Sequence, residues 1–378
     1  MTISNTVCRK MVYGGNVTNS ASGGSLSELG NITLDIDGGT FQSQVVGGSR
    51  LVASENISSN VTLSGGTVTL DIDGGTFADS IFGAGYALGN KNGQGNENEA
   101  ELSVDEVVMT LSDLTVNSNG KASHGIYAGG LAARGAKIYV GSAQTRDAGA
   151  AVNITVASGS YTSIYGGGWA ESKAEVTVNG GVAIAVSGGS IANLYGGGNN
   201  DTSGAKTYIA GDVLITVSGG TINNIHAGAK YGTSRVNGDS TVQIAGDATI
   251  GNIYGWTQTG ADSVRDDQIL DVDASLSCNS ISHFDIIDIA AAVDVTGNVD
   301  LVGDAIVNID LASFSAEADA EWTVLSAAEL NNLKAVTFGT AEFSRVENVW
   351  SCGEYTLTFN DNNEGDDTLV LKYTIANA

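Results

Sequence analysis

The stretch Leu34–Phe41 reads LDIDGGTF, and Leu70–Phe77 reads LDIDGGTF again. Related runs close in the same way: ITVASGSY from Ile154, IAVSGGSI from Ile184 and ITVSGGTI from Ile215. Each is a run of alternating apolar residues that ends in a glycine turn. A second mark accompanies the first, an apolar pair followed by small residues. It appears as VYGG from Val12, VVGG from Val45, IFGAG from Ile81, IYAGG from Ile126, IYGGG from Ile164, LYGGG from Leu194, IHAGA from Ile225 and IYGW from Ile253. The spacing of these starts is close to about thirty residues, which means stacked copies of one unit.

Inside each copy the runs VTLDID, VNITV, VAIAV, VLITV and STVQI alternate apolar and polar residues, the period of a strand and not of a helix. A glycine turn after so short a strand suits a chain that bends repeatedly around a narrow core. The expected fold is an all-β parallel β-solenoid, each rung ~4.8 Å from the next. Every backbone N–H is then needed for the ladder, which accounts for a chain with 0 Pro. Two longer gaps, Gly89–Ala100 and Ser142–Ala150, are expected to be loops leaving one corner of the coil.

Composition supports an ordered chain. Of 378 residues 52 are Gly, 42% are hydrophobic and 15% are charged, with a mean hydropathy of +0.05, which excludes collagen, proline-rich linkers and a disordered polar tail. The net charge of −26 repels phosphate backbones and anionic bilayers, so nucleic acid is excluded as a partner and cations are favoured. No apolar run reaches the ~18 residues of a spanning helix, and Met1–Met11 lacks the apolar centre and cleavage site of a signal peptide. Cys8, Cys278 and Cys352 are too few and too scattered for a zinc knuckle or a disulfide framework, and at least one stays unpaired.

Three segments follow from these marks. Residues 1–264 carry the glycine-rich solenoid repeats. Residues 265–315 carry plainer rungs (ILDVDASL, FDIIDIA, AVDVTGNVDLV, AIVNIDLASF). Residues 316–378 form a capping region. There, Ser326-Ala-Ala-Glu329 reads as a capping box and predicts a short helix over Ala327–Leu333. Tyr355–Phe359 and Thr368–Tyr373 flank the turn-rich Asn360–Asp367 and predict a hairpin. Helix and hairpin together would cover the terminal rung.

GGT turns alternating with IYGGG turns over Val12–Val264 resemble the right-handed β-helix of bacterial autotransporter passengers and adhesin-like surface proteins. The resemblance implies a right-handed coil and an extracellular or bacterial cell-surface stalk or adhesin, without a defined chemistry. The capping region resembles the stabilising end of such passengers, although no membrane-barrel segment follows it. At the other end VYGG from Val12 matches the second half of a repeat, so the chain starts partway round a rung. A truncated chain, a head-to-tail assembly surface and an unrecognised cap all fit that start.

Two rows of side chains are candidate sites. Alternation in LDIDGG turns Asp35, Asp37, Asp71 and Asp73 outward, and aligned rungs would crowd these like charges. A hard oxygen-liganded cation, Ca2+, would relieve the crowding; a solvated acidic face needs no ion, and the sequence lacks a calcium-loop motif. No other cofactor is indicated. The second residue of each apolar pair gives Tyr13, Val46, Phe82, Tyr127, Tyr165, Tyr195, His226 and Tyr254. This column reads either as a stacked structural ladder or as a carbohydrate-binding stripe, with Trp169 and Trp256 close behind their tyrosines. His124, His226 and His283 are the only histidines, and neither a nucleophile elbow nor a P-loop nor HExxH occurs.

No catalytic residue is therefore assigned. The expected function is non-enzymatic, an extracellular structural or adhesive protein whose partner is itself, as fibre or multimer, and cell-surface carbohydrate. The rival from another class is a polysaccharide-binding or polysaccharide-degrading β-helix enzyme of the tailspike or lyase kind, with paired carboxylates in a cleft.

Overall fold

The computed structural model describes residues 1–20, 24–53, 61–90, 99–117, 124–141, 149–200, 204–231, 234–256, 266–314, 319–333, 335–339, 341–342, 344–362 and 365–374. Residues 91–98 and 142–148, which make up most of the two expected corner loops, lie outside that set. The described chain is all-β, with strand its dominant element. Its only helical element is a single 3-10 turn at Leu311–Ser313, whose start is capped by Asp310 accepting from the Ala312 amide at 3.1 Å.

Strand pairing follows the repeat. Ile32–Phe41 pairs parallel with Val61–Phe77, and that strand with Ala100–Val116. The ladder continues through Ala150–Val156, Gly181–Val186, Val213–Val217, Ser240–Ile244, Gln268–Val272, Ile286–Ile289 and Ile306–Ile309, in register apart from a shift between Ala150 and Val152. A second, 6-stranded sheet runs beside the large one and is also parallel: Val17–Ser20, Ser49–Ala53, Gly85–Leu88, Leu131–Ala133, Trp169–Glu171 and Asn199–Asn200. No described helix is long and apolar enough to cross a membrane.

In-register stacking makes each inward position a column of like residues. Ile36, Ile72, Leu111, Val156, Val186, Val217, Ile244, Val272, Ile289 and Ile309 succeed one another, all at most 2% exposed. β-branched side chains fit this role because they pack on the pleat of both neighbouring rungs. The result is one continuous apolar core from Leu34 to Leu371.

The glycine turns do two jobs. Gly39, Gly75, Gly159, Gly189 and Gly220 all hold positive φ (123°, 106°, 108°, 88° and 92°), a conformation that a side chain resists. In the rung Ala100–Val116 the left-handed residue is Asp113 at φ 54°, steadied by its amide donating to Ser158 Oγ at 2.8 Å. Gly166, in IYGGG, serves close approach instead: a Cβ there would run into the Gly196 carbonyl and a Val182 methyl.

The C-terminal segment corrects one expectation. The predicted helix Ala327–Leu333 is absent, and Glu321–Asn331 is a strand. It pairs parallel with Val293–Asp300 on one side and antiparallel with Asp367–Tyr373 on the other. Ser326 and Glu329 make rung contacts instead of a capping box: Ser326 Oγ donates to Asp294 Oδ1 at 2.6 Å, and Asn298 Nδ2 donates to Glu329 Oε2 at 3.3 Å. Two waiting ladders and the burial of Val324, Leu325 and Ala327 outweigh a local helix signal. The expected hairpin is present as Tyr355–Asn360 against Asp367–Tyr373, and Val349–Cys352 extends it antiparallel. Among the described residues the C-terminal segment is thus built of strands, the last of them paired antiparallel. All three cysteines are free.

Candidate functional site: the aromatic column and the outer faces

Alternation splits each apolar pair. Ile126, Ile164, Leu194, Ile225 and Ile253 enter the main core, whereas Tyr127, Tyr165 and Tyr195, which follow the first three, point the other way into a separate cluster. There Tyr127 stacks on Tyr165 (centroids 4.5 Å, planes 5° apart) and Tyr165 on Tyr195 (4.6 Å, 3°). Tyr195 stacks on His226 (4.7 Å, 8°), and His226 on Tyr254 (4.6 Å, 9°). Centroid distances near the strand spacing show that the rings inherit the backbone register.

The predicted residues Tyr127, Tyr165, Tyr195 and Tyr254 are therefore brought into one column. Tyr127 and Tyr165 are fully buried and Tyr195 nearly so, each with both ring faces covered by its neighbours; Tyr254 is half-buried. Trp169, 8% exposed, closes over the column from the second sheet at 5.4 Å from Tyr127. The Trp256 ring packs on His283 at 4.4 Å and donates from Nε1 to Gln268 Oε1 at 2.7 Å, while the Trp256 backbone is hydrogen-bonded to His226 of the column. Burial pushes the Tyr165 and Tyr195 phenols well above their usual range and holds His226 down to about 4.

The acids also meet as expected. Asp35 pairs directly with Asp71, and burial followed by the charges of Asp35, Asp73 and Asp37 pushes the Asp71 carboxyl up. Hydroxyls of adjoining rungs take up one oxygen of the other three: Thr2 Oγ1 donates to Asp35 at 3.2 Å, Ser4 Oγ to Asp37 at 3.3 Å and Ser112 Oγ to Asp73 at 2.8 Å. Among the described residues no group of three or more His, Cys, Asp or Glu side chains is placed to hold a metal ion.

Three further ladders escaped the sequence reading. Asn224 Nδ2 donates to Asn193 Oδ1 (3.1 Å), Asn252 Nδ2 to Asn224 Oδ1 (2.9 Å) and Ser280 Oγ to Asn252 Oδ1 (2.9 Å). Their signal was an Asn two residues before Tyr195, His226 and Tyr254. On another outer face Glu101, Lys137, Glu175 and Lys206 occupy one register position with alternating sign. Beside them Ser103, Tyr139, Thr177, Tyr208 and Arg235 form a second outward column. Only the alternation of KIYV, EVTV and KTYI announces these two columns. The one described histidine–carboxylate pair is His124 Nε2 to Asp79 Oδ1 at 3.5 Å.

No family model matches the sequence, and no curated protein resembles it significantly.

Proposed function

We propose that the chain is a non-enzymatic structural or adhesive protein of the cell exterior, its parallel strands coiled as a right-handed β-solenoid. The observation that carries this reading is the way outer polar side chains are spent on the next rung. Asn193–Asn224–Asn252–Ser280 and Asp288–Asn308–Thr337 bond along the axis. Self-satisfied ladders favour a rigid shaft, whereas a catalytic cleft needs polar groups held ready for a substrate.

Assembly belongs to the same reading. Val7, Val17 and Val346 stand 60%, 53% and 72% exposed, apolar surface that a second copy can cover. The test is electron microscopy of the purified full chain, together with incubation on a polysaccharide panel. Rods, joined end to end at high concentration, with no reducing ends released, are the expected result. A globular particle, or release of reducing ends that stops when one carboxylate is changed, overturns the reading.

A further inference from the structure

Burial of Tyr127, Tyr165 and Tyr195 removes them from contact with any ligand, but two other tyrosines face outward. Tyr139 lies on Lys137–Val140 and Tyr208 on Lys206–Ile209, one rung on either side of Thr177. Their inward neighbours Ile138, Val140 and Ile209 are in the core, so both rings project from the outer face and both are half-buried. Thr177, between them, is only 6% exposed and donates from Oγ1 to Glu175 Oε1 at 3.1 Å. Two strand spacings separate the rings by ~10 Å along the axis.

The surrounding charges are balanced. Glu99, Glu101 and Glu175 face Lys137, Lys206 and Arg235, in a chain whose net charge is −26. Lys137 Nζ meets Glu99 Oε2 at 2.8 Å. A face that is locally neutral draws in neither a polyanion nor a polycation, yet it sets donors and acceptors in the column beside the two aromatic rings. Apolar ring faces with flanking hydrogen-bonding groups match the alternating C–H faces and hydroxyl edges of sugars.

We infer that the outer face carrying Tyr139 and Tyr208 binds an uncharged linear polysaccharide laid along the axis, with the two rings as platforms about two sugar units apart. The inference rests on the reading of the chain as an extracellular shaft and supplies its ligand class. Lys137, Lys206 and Arg235 donate to sugar oxygens, and Glu101 and Glu175 accept from hydroxyls. Because both rings lie outside the core, their removal leaves the ladder intact.

The experiment is affinity electrophoresis of the full chain through native gels containing hydroxyethylcellulose, xylan, galactomannan or a β-1,3-glucan, with polygalacturonate as the anionic probe. At least one neutral glycan is expected to retard the chain. Tyr139→Ala and Tyr208→Ala are each expected to weaken that binding about tenfold, the double variant to abolish it, and the paired Tyr→Phe variant to keep it. Circular dichroism and the melting midpoint of the double variant should match the parent. No retardation by any neutral glycan, retardation that survives the double alanine variant, or retardation by polygalacturonate alone overturns the inference. A rod-shaped chain that no glycan retards sinks this inference and leaves the shaft reading standing; retardation with release of reducing ends sinks the shaft reading.

Discussion

Tyr165 lies flat on Tyr195, ring centroids 4.6 Å apart and planes 3° from parallel. The rings are held at strand spacing by backbone pairing of the two tyrosines themselves. Removal of one ring therefore leaves a gap that its neighbours can close only by breaking register. Tyr165→Ala is expected to destabilise by roughly 3–5 kcal/mol, the cost of emptying a large aromatic site. Tyr165→Phe keeps the ring and should stay within about 1 kcal/mol. Thermal melts combined with limited proteolysis check both; equal losses for Ala and Phe would show that the hydroxyl, not the stack, is what matters.

His226 gives the column a pH dependence. It is 2% exposed between Tyr195 and Tyr254, and burial lowers its pKa from the ordinary 6.5 to about 4. Between these values the unfolded chain holds a proton that the folded chain refuses. The contribution is therefore complete above about pH 6.5, declines as pH falls and is gone by about pH 4, at most about 3 kcal/mol in all. His226→Tyr restores the residue found on either side and should flatten this part of the profile. Melting midpoints of parent and variant that run parallel from pH 7 to 4 would refute the assignment.

The repeat was legible because in-register stacking forces similarity: Leu34 with Leu70 and Phe41 with Phe77 are register partners, so period and strand direction could be read together. The aromatic column was legible for the same reason. Which face it occupies was not, since Tyr165 follows the core residue Ile164 directly and alternation alone does not say that Trp169 will cover it. The helix at Ser326–Glu329 failed because a local capping pattern carries no information about the two strands waiting beside it. Tyr139 and Tyr208 went unnoticed because they recur only every second rung, with Thr177 between.

Glycine substitutions separate close approach from mere flexibility. At Gly166 a Cβ would collide with the Gly196 carbonyl and Val182, in the middle of the stack. At Gly149 a Cβ would meet nothing within 4 Å. Gly166→Ala is expected to cost several kcal/mol or prevent folding, while Gly149→Ala should stay within roughly 0.5 kcal/mol. Chemical-denaturation midpoints decide; similar small effects at both sites would mean that the rungs can part to admit a methyl group.

Proline should be rejected at outward positions that bury nothing. Thr155 is exposed, yet its strand Ala150–Val156 lies between Ala100–Val116 and Gly181–Val186, so its N–H belongs to an interior ladder. Thr155→Pro is expected to cost about 3 kcal/mol or more, against less than about 0.5 kcal/mol for Thr155→Ser. Equal melting midpoints for the two variants would break the link between the ladder and a chain with 0 Pro.

The row of Asp35, Asp37, Asp71 and Asp73 tests whether crowded charge or a bound cation governs the outer face. Burial and the three neighbouring carboxylates push the Asp71 carboxyl up, so the folded state disfavours its charged form. The resulting strain is present at neutral pH and disappears as pH falls through the raised pKa. Asp71→Asn should therefore raise the melting midpoint at pH 7 and leave it unchanged once the parent's Asp71 is protonated. Calcium offers an alternative relief, but Thr2, Ser4 and Ser112 already donate to one oxygen each of Asp35, Asp37 and Asp73. Among the described residues no group of three or more ligating side chains is placed to hold an ion, so millimolar calcium is expected to shift the parent's midpoint no more than sodium chloride of equal ionic strength. A calcium-specific rise that Asp71→Asn removes would establish a cation site along the row and reverse the sign expected for the substitution.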